Sequence, residues 1–129
     1  MSKLDDFLNL ADVSEIKKAI KINLNGKELE LVIRPITEAE HSEFQRRSNV
    51  INKNKITFDS GKYSNLVLEA CIVEPNFKDA EFLKRVNCVS ATEFINKKFP
   101  AGVVSDISSE IQKLSGFESY DMEIENAKN

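Results

Sequence analysis

The alternation of apolar and polar residues is clearest in the stretch AIKINLNGKELELVI. Two alternating runs flank Asn25-Gly26, which suits a two-residue type I′ turn because both central residues need positive φ. We predict a β-hairpin that Pro35 ends, and its short turn fixes the register, with Lys21 opposite Glu30 on the polar face. The apolar face, which must lie on the rest of the protein, carries Ile20, Ile22, Leu29 and Leu31.

The apolar spacing then becomes helical. Thr37 and Glu40 have the spacing of a capping box, so a helix begins there and runs to about Ser48. Ser60 is placed to cap a second helix, and Pro75 to end it, since the residue before proline avoids the α region. The inner stripe of this second helix consists of Tyr63, Val67, Ala70 and Cys71.

Two shorter helices are indicated next. Either Asn76 or Asp79 can cap the first of them, and Ser90 with Glu93 forms a second capping box at the start of the other, which ends near Phe99. The side chains expected to pack are Phe82, Leu83 and Val86 in the first, with Val89 and Phe94 as a hydrophobic staple at the start of the second.

The last helix lies in GVVSDISSEIQKLSGF, and its apolar residues have helical spacing. Gly116 stands where a left-handed C-terminal cap needs glycine, and Phe117 can then fold back toward Ile111. The buried positions are predicted to be Val103, Ile107, Ile111 and Leu114. From Glu118 onward the sequence is acidic and polar, and it is predicted to be a disordered tail.

Two segments are less regular. Residues 2–10 can start a short helix, capped by Ser2, with Leu4, Phe7 and Leu8 on one face. A helix of this length is not stable by itself. The segment is therefore expected to pack on the rest of the domain, to pack on a partner or to remain mobile. The stretch NVINKNKITFDSG is rich in Asn, Lys, Asp and Gly and is interpreted as a loop.

These elements predict an α+β fold that is mostly α-helical, with an N-terminal β-hairpin followed by four to five helices. A chain of 129 residues suits one domain. We place this domain at residues 1–117, with 1–14 either docked or mobile, and the disordered tail at 118–129.

Composition excludes several classes of protein. A formal charge of −3 and scattered cations argue against a nucleic-acid surface. No apolar run approaches the ~20 residues of a membrane span, and the N-terminus lacks the apolar core of a signal peptide. Two cysteines do not form a disulfide framework in a chain of this length, so a reducing cytoplasm with free thiols is expected.

The stretch EACIVEPNFKD groups residue types that can carry chemistry. Nucleophilic catalysis by Cys71 needs a nearby base, and His41 is the only histidine of the chain. Cys71, however, follows Val67 by four residues on an apolar stripe, where cysteine behaves as a small hydrophobe. We therefore favour a structural corner over an active site, with Pro75 as a helix stop and Asn76 or Asp79 as the next cap.

Other catalytic and ligand-binding patterns are absent from the sequence. A single histidine and no C-x-x-C leave a tetrahedral zinc site without ligands at ordinary spacing. DSGKYS departs from a phosphate loop, which needs Gly where Ile56 stands and Ser or Thr where Tyr63 stands. Carboxylate pairs such as Glu38 and Glu40 do not share a helical face. We predict no catalytic residues, no metal and no cofactor.

Phenylalanine is over-represented, with eight residues against no tryptophan. Phe7, Phe58, Phe77 and Phe117 fall in predicted termini, loops or caps, where an aromatic side chain either marks a protein interface or locks a loop onto the core. Phe7 is the best interface candidate because its segment has the least local support. The predicted partner-binding residues are Leu4, Phe7, Leu8 and Phe58.

Two motifs carry a resemblance to a known family. CIVEPNFKD, followed about thirty residues later by AGVVSDISSEIQKLSGF, resembles the XkdN-like phage tail assembly chaperones of Gram-positive phages and prophages. The opening LDDFLNL and the hairpin leading into RPIT fit the same pattern. Family members often have Gly-Glu near the start of the last helix, whereas here Gly102 is followed by Val103. The most distinctive pieces of the likeness are Pro-Asn-Phe-x-Asp and the terminal Leu-Ser-Gly-Phe. The predicted structural markers of the chain are Asn25, Gly26, Cys71, Pro75, Asn76, Phe77, Gly116 and Phe117.

The resemblance implies a non-enzymatic role in the cytoplasm of the bacterial host. Such chaperones hold the aggregation-prone tape measure protein while tail tube subunits assemble around it, and they are typically absent from the finished virion. The implied partners are the tape measure protein and the tail tube protein, without nucleic acid or membrane. A structural tail component retained in the virion and a small cysteine-dependent enzyme are the alternatives.

Overall fold

The computed structural model describes residues 3–117. An antiparallel sheet, a second hairpin and five α-helices make up this part of the chain, which confirms the predicted mostly helical α+β fold. The strands are β1 (Lys18–Leu24), β2 (Lys27–Ile33), β3 (Asn49–Asn52), β4 (Lys55–Phe58) and β5 (Ile72–Glu74). The helices are α1 (Glu38–Arg47), α2 (Ser60–Cys71), α3 (Ala80–Arg85), α4 (Ala91–Lys98) and α5 (Ala101–Leu114).

The predicted N-terminal hairpin is confirmed in register. Asn25 and Gly26 both have positive φ, and Ile22 pairs with Leu29 as expected. Leu29 nevertheless remains 42% exposed, although its cross-strand partner Ile22 is buried. The ion pair also differs from the prediction: Lys21 stands opposite Glu30, but its Nζ lies 3.3 Å from a carboxylate oxygen of Glu28. The long lysine side chain thus reaches the diagonal neighbour.

The prediction that Pro75 ends the second helix is wrong. Helix α2 ends at Cys71, and the next residues form β5, which pairs with β2 in a sheet of order β1-β2-β5. Ile72 and Val73 are β-branched and favour a strand. Pro75 follows this strand instead and limits its length, because proline cannot donate to the ladder.

The hydrophobic core lies between this sheet and the helices. Helix α2 is its central element and packs against α1, α4, α5 and β5. Of the predicted stripes, Val67 and Cys71 on α2 and Ile107 and Ile111 on α5 are buried. The other predicted members are only half-buried and pack against this core: Tyr63, Ala70, Val103 and Leu114. The remaining buried apolar residues of the cluster are Ile22, Leu31, Ile33, Ile36, Phe44, Leu68, Ile72, Ile95 and Phe99.

Side-chain caps mark the starts of α1 to α4, whereas α5 begins after Pro100 without one. Thr37 and Glu40 form the predicted capping box of α1. The cap of α2 is Asp59 and not Ser60: its carboxylate accepts from the backbone N–H of Lys62 at 3.0 Å. A carboxylate carries charge as well as acceptor oxygens, so it also interacts favourably with the positive end of the helix dipole.

The two alternatives for the α3 cap are resolved in favour of Asp79, whose carboxylate accepts from Phe82 N–H at 2.9 Å. Asn76 does not cap this helix. Its side-chain oxygen accepts from Lys78 N–H, two residues later, and so stabilises the turn before the helix. This helix is only partly covered, and the three residues expected to pack, Phe82, Leu83 and the C-cap Val86, are half-buried.

At the start of α4, Ser90 caps as predicted by accepting from Glu93 N–H. The predicted capping box is nevertheless incomplete, because the Glu93 carboxylate accepts from Val89 N–H and not from Ser90 N–H. The hydrophobic staple is wrong. Val89 is 88% exposed, while Phe94 turns toward an aromatic cluster with Phe77 and Phe99. The ring of Phe77 lies 5.2 Å from that of Phe94, so Phe77 locks its loop onto the core.

Helix α5 ends in a Schellman motif. Gly116 has φ +93°, its N–H donates to the Lys113 carbonyl, and Phe117 N–H donates to the Gln112 carbonyl. These two bonds satisfy carbonyl groups left open at the helix end, and glycine adopts the left-handed conformation without a Cβ penalty. The predicted tail from Glu118 to residue 129 lies outside the described residues.

Two irregular segments differ from their predictions. Within residues 3–10 the structure has a single 3₁₀ turn, Asp5–Phe7, and no α-helix. The segment read as a loop after α1 is a β-hairpin, with a two-residue turn at Lys53 and Asn54, both of positive φ. Ser48 anchors its base: the side chain is fully buried, and its carbonyl accepts from Asp59 N–H.

Candidate partner-binding surface

The N-terminal segment leaves its apolar side chains uncovered. Leu4, Phe7 and Leu8 are 66–77% exposed, and Leu10 is exposed to a similar degree. No residue of the two short 3₁₀ turns in this segment is buried. The predicted face therefore exists as a cluster of solvent-exposed apolar groups, and it does not dock on the rest of the described chain.

The second exposed apolar surface is one face of the β3–β4 hairpin. Because Ile51 pairs with Ile56 and Asn49 pairs with Phe58, these side chains lie on the same face. Both isoleucines are more than 70% exposed, and Phe58 is 48% exposed. A two-stranded sheet gains little stability by itself, so an uncovered apolar face of this kind is typical of a contact site.

Positive charge surrounds this hairpin, although the chain as a whole carries −3. Between Gln45 and Lys62 there is one carboxylate, that of Asp59. All the cations of this stretch are exposed, and none forms an ion pair with another residue in the part of the chain that the structure describes. They are Arg46, Arg47, Lys53, Lys55 and Lys62.

An aromatic path links the hairpin to the end of α5. The ring of Phe58 lies 5.9 Å from that of Tyr63, which lies 5.6 Å from the ring of His41. The ring of His41 in turn lies 5.5 Å from that of Phe117, and its Nδ1 is hydrogen-bonded to the Tyr63 hydroxyl. A cleft of about 310 Å³ between the N-terminal segment and α5 opens beside this path, lined by Val13, Ile16 and Leu114 among others.

Cys71 has the environment of a structural cysteine. Its side chain is fully buried, and burial raises the pKa of the thiol to about 11. Nucleophilic cysteines need the opposite shift, because the thiolate is the reactive form. The polar contact of His41 is with Tyr63 and not with the thiol. This geometry supports the structural interpretation of Cys71.

We expect Cys71 to react with iodoacetamide at neutral pH more than about tenfold slower in the folded protein than in urea, because burial limits both access and ionisation. Peptide mass spectrometry at timed intervals measures the modification. Labelling of Cys71 in the native protein as fast as in urea would contradict its burial.

Arg34 and Glu40 form the strongest ion pair of this region. Both guanidinium nitrogens donate to the carboxylate, at 2.8 and 2.7 Å, and the side chains are only 16% and 25% exposed. Hydrogen bonding from Arg34, with help from the Thr37 backbone, lowers the pKa of Glu40 to about 2 from 4.5. The pair ties the end of β2 to the first turn of α1.

The lowered pKa of Glu40 gives stability a defined pH dependence. Its contribution is complete above about pH 5 and is lost as the pH falls toward 2, because the unfolded chain takes up the proton first. Glu40→Gln is expected to reduce the free energy of unfolding by about 1–2 kcal/mol at pH 7 and by clearly less at pH 3.5. Urea titrations at both values measure this.

Glu43→Gln, on an exposed position of the same helix, is the matched control and is expected to change stability by less than about 0.5 kcal/mol. An equal loss for Glu40→Gln at pH 7 and pH 3.5 would show that its charge does not carry the effect.

The structure places the four predicted partner-binding residues on two elements. Leu4, Phe7 and Leu8 share the N-terminal segment, whereas Phe58 belongs to β4. Sequence reasoning missed Ile51 and Ile56. A signal was present, because two runs of β-branched residues are separated by two residues, but the turn has no glycine.

Among residues 3–117, no three His, Cys, Asp or Glu side chains are grouped so that they could hold a metal ion. None of the helices in that range is long and apolar enough to cross a bilayer.

Comparison with known proteins gives one family and one similar fold. A sequence model of the phage XkdN-like tail assembly chaperone proteins matches residues 4–128. The crystal structure of the protein YqbN superposes with a TM-score of 0.64 at 14% sequence identity, covering 91% of this chain and 98% of that one. At that identity the likeness shows the fold. The search of curated proteins finds no match.

Proposed function

Because the chain belongs to the phage XkdN-like tail assembly chaperone family, we propose that it binds the tape measure protein while the tail tube assembles. As a tail assembly chaperone it acts in the host cell during assembly, on phage tail proteins. The tail tube protein is the proposed second partner. The role is non-catalytic, and the chaperone leaves before the virion is complete.

One observation carries this proposal: the apolar side chains of the N-terminal segment are exposed, whereas helices α2 and α5 pack their apolar stripes into the core. Leu4, Phe7 and Leu8 contribute nothing to the core. Burying each of them against a partner would contribute on the order of 1.5–3 kcal/mol. That magnitude suits a contact that forms and is later released.

The chemistry of the surface indicates the kind of partner. Leu and Phe on a short segment fit an apolar groove or the apolar face of an amphipathic helix, a mode in which a few anchors provide most of the affinity. Phe58 adds a second contact at a separate element. A long, helix-rich tape measure protein offers many such faces, and covering them would prevent its aggregation.

The environments of Cys71 and His41, the pair that a cysteine-dependent enzyme would use, support the non-catalytic role. The pKa of Cys71 is raised to about 11, and His41 is engaged with Tyr63.

Co-expression with the tape measure protein of the same phage tests the proposal. We expect the tape measure protein to become soluble and to elute with the chaperone in gel filtration. A tape measure protein that remains insoluble, with no complex, would refute tape measure binding. Mass spectrometry of purified particles separates this role from that of a retained structural component, which would be detected in every virion.

A further inference from the structure

The β3–β4 hairpin extends into solvent with neither face covered. All eight residues of its two strands are exposed. Cross-strand pairing places Ile51, Ile56 and Phe58 together on one face. Phe58 has the ring of Tyr63 beside it, but packing within the described chain does not account for the two isoleucines. The hairpin therefore presents an apolar surface that is available to another molecule.

Strand β4 also has an edge without a strand partner. It pairs with β3 in a sheet of two strands, so its other edge is open in the described chain. The residues next to a two-residue turn form a hydrogen-bonded pair, and the pattern then alternates along the strands. Because Lys55 is next to the turn, the backbone N–H and C=O groups of Ile56 and Phe58 point to the open edge. An additional strand can pair with these two residues.

The charge around the hairpin indicates what kind of strand fits. Residues 45–62 include five exposed cations and one carboxylate, that of Asp59, which already caps α2. A strand with carboxylates on one face is attracted to this positive charge. Pairing with the same edge of a second copy is disfavoured, because it would bring the Lys53 and Lys55 side chains of both copies together.

Two other kinds of anionic partner fit the hairpin less well. Insertion into a lipid surface needs apolar groups at the leading end, whereas the turn consists of Lys53 and Asn54. Single-stranded nucleic acid is held by bases that stack on aromatic rings, and the face has one such ring, Phe58, beside two isoleucines. A peptide strand uses both the apolar face and the open backbone edge.

We infer that the open edge of β4 binds an extended segment of a partner protein in which apolar and acidic residues alternate. Its backbone pairs with Ile56 and Phe58, and its apolar side chains continue the face that these residues form with Ile51. Its carboxylates lie on the other face, which carries Lys55. The inference rests on the proposed function only in assigning this segment to a phage tail protein.

The synthetic peptide acetyl-Glu-Val-Glu-Val-Glu-Val-Glu-amide tests the edge without any tail protein. We expect half-saturation near ~1 mM, with the largest NMR shifts in the amides of residues 49–58. At ~10 mM peptide the amides of Ile56 and Phe58 are expected to exchange with water about tenfold slower, because about nine-tenths of the protein is then bound. The amides of Asn49 and Ile51, which point to the edge of β3, should not change.

Charge variants test the role of the cations. Lys53→Glu/Lys55→Glu is expected to weaken binding of the peptide by more than about tenfold, because like charges then face each other. Lys84→Glu/Arg85→Glu makes the same change of charge at exposed positions of α3 and is the matched control. Its effect should be less than about twofold, since charges distant from the edge are screened by salt.

Ile51→Thr/Ile56→Thr tests the apolar face and keeps β-branched residues in both strands. This variant is expected to weaken binding by more than about tenfold, because apolar area is lost on the side that the valines cover. Cross-strand nuclear Overhauser effects between residues 49 and 58 confirm that the hairpin is retained.

Several results would overturn the inference. They are unchanged exchange of Ile56 and Phe58 at ~10 mM peptide, slower exchange at Asn49 and Ile51 instead, and equal binding of hepta-glutamate, which has no apolar face. Tighter binding of an oligothymidylate would assign the surface to nucleic acid, and shifts that depend on protein concentration alone would assign it to a second copy. None of these results bears on the co-expression test of tape measure binding, which does not use the peptide.

Discussion

Replacing Leu4, Phe7 and Leu8 together by serine is expected to reduce recovery of the tape measure protein with the chaperone by more than about tenfold. Each side chain that a partner buries contributes on the order of 1.5–3 kcal/mol, and 1.4 kcal/mol corresponds to a factor of ten. The free energy of unfolding should change by less than about 0.5 kcal/mol, because the three residues are exposed. Co-purification and urea denaturation measure the two quantities.

Val89→Ser is the matched control. Val89 is the most exposed large apolar residue of the described chain, and it lies far along the sequence from the N-terminal segment. We expect this variant to retain the partner fully. If the triple variant also recovers as much tape measure protein as the unmodified chain, the N-terminal segment is not the contact.

Leu68→Ala is expected to lower the free energy of unfolding by about 3–4 kcal/mol. Leu68 is only 2% exposed on α2, the helix that contacts α1, α4, α5 and β5. Removing its side chain loses apolar burial and leaves a cavity that the surrounding core closes only in part. Chemical denaturation followed by circular dichroism measures the loss.

Leu66→Ala provides the same chemical change on the same helix at a half-buried position. Its effect should be less than half as large, because part of the side chain already faces water. Equal losses at the two positions would show that burial on α2 does not determine the cost.

The regular elements could be predicted because local signals agreed with one another. Asn25-Gly26 determined both the turn and the register of the first hairpin. Thr37 with Glu40, and Gly116 with Phe117, were recognisable as helix ends from residue type and spacing alone. In each case the contacts are within a few residues, so no knowledge of the tertiary structure was needed.

The predictions that failed depend on tertiary contacts or on a turn that lacks the usual turn residues. Nothing in the sequence near Ile72 shows that β2 offers a free edge there, and therefore β5 was not predicted. The second hairpin turns at Lys53 and Asn54, where the sequence lacks the glycine that marks such turns. Val89 and Phe94 have the spacing of a hydrophobic staple, but Phe94 packs against the rings of Phe77 and Phe82 instead.

The candidate surface was predicted only in part. Leu4, Phe7 and Leu8 stood out because no neighbouring segment could cover them, and the structure leaves them exposed. Phe58 was predicted as a contact residue, but the strand that contains it was not predicted, so Ile51 and Ile56 on the same face were missed. The aromatic path through His41 joins residues of β4, α1 and α2 with Phe117 after α5, and residue spacing does not predict it.

Strand β2 pairs with two partners that lie at very different distances along the chain, and this has a kinetic consequence. Its pairing with β1 needs only a two-residue turn, and such hairpins close in about 1–10 μs. Its pairing with β5 requires residues 34–71 to return to the sheet, at a greater cost in loop-closure entropy. Since β5 follows α2 without an intervening residue, the helix and the strand arrive together. The folding rate therefore depends on the docking of this unit more than on the speed of the N-terminal turn.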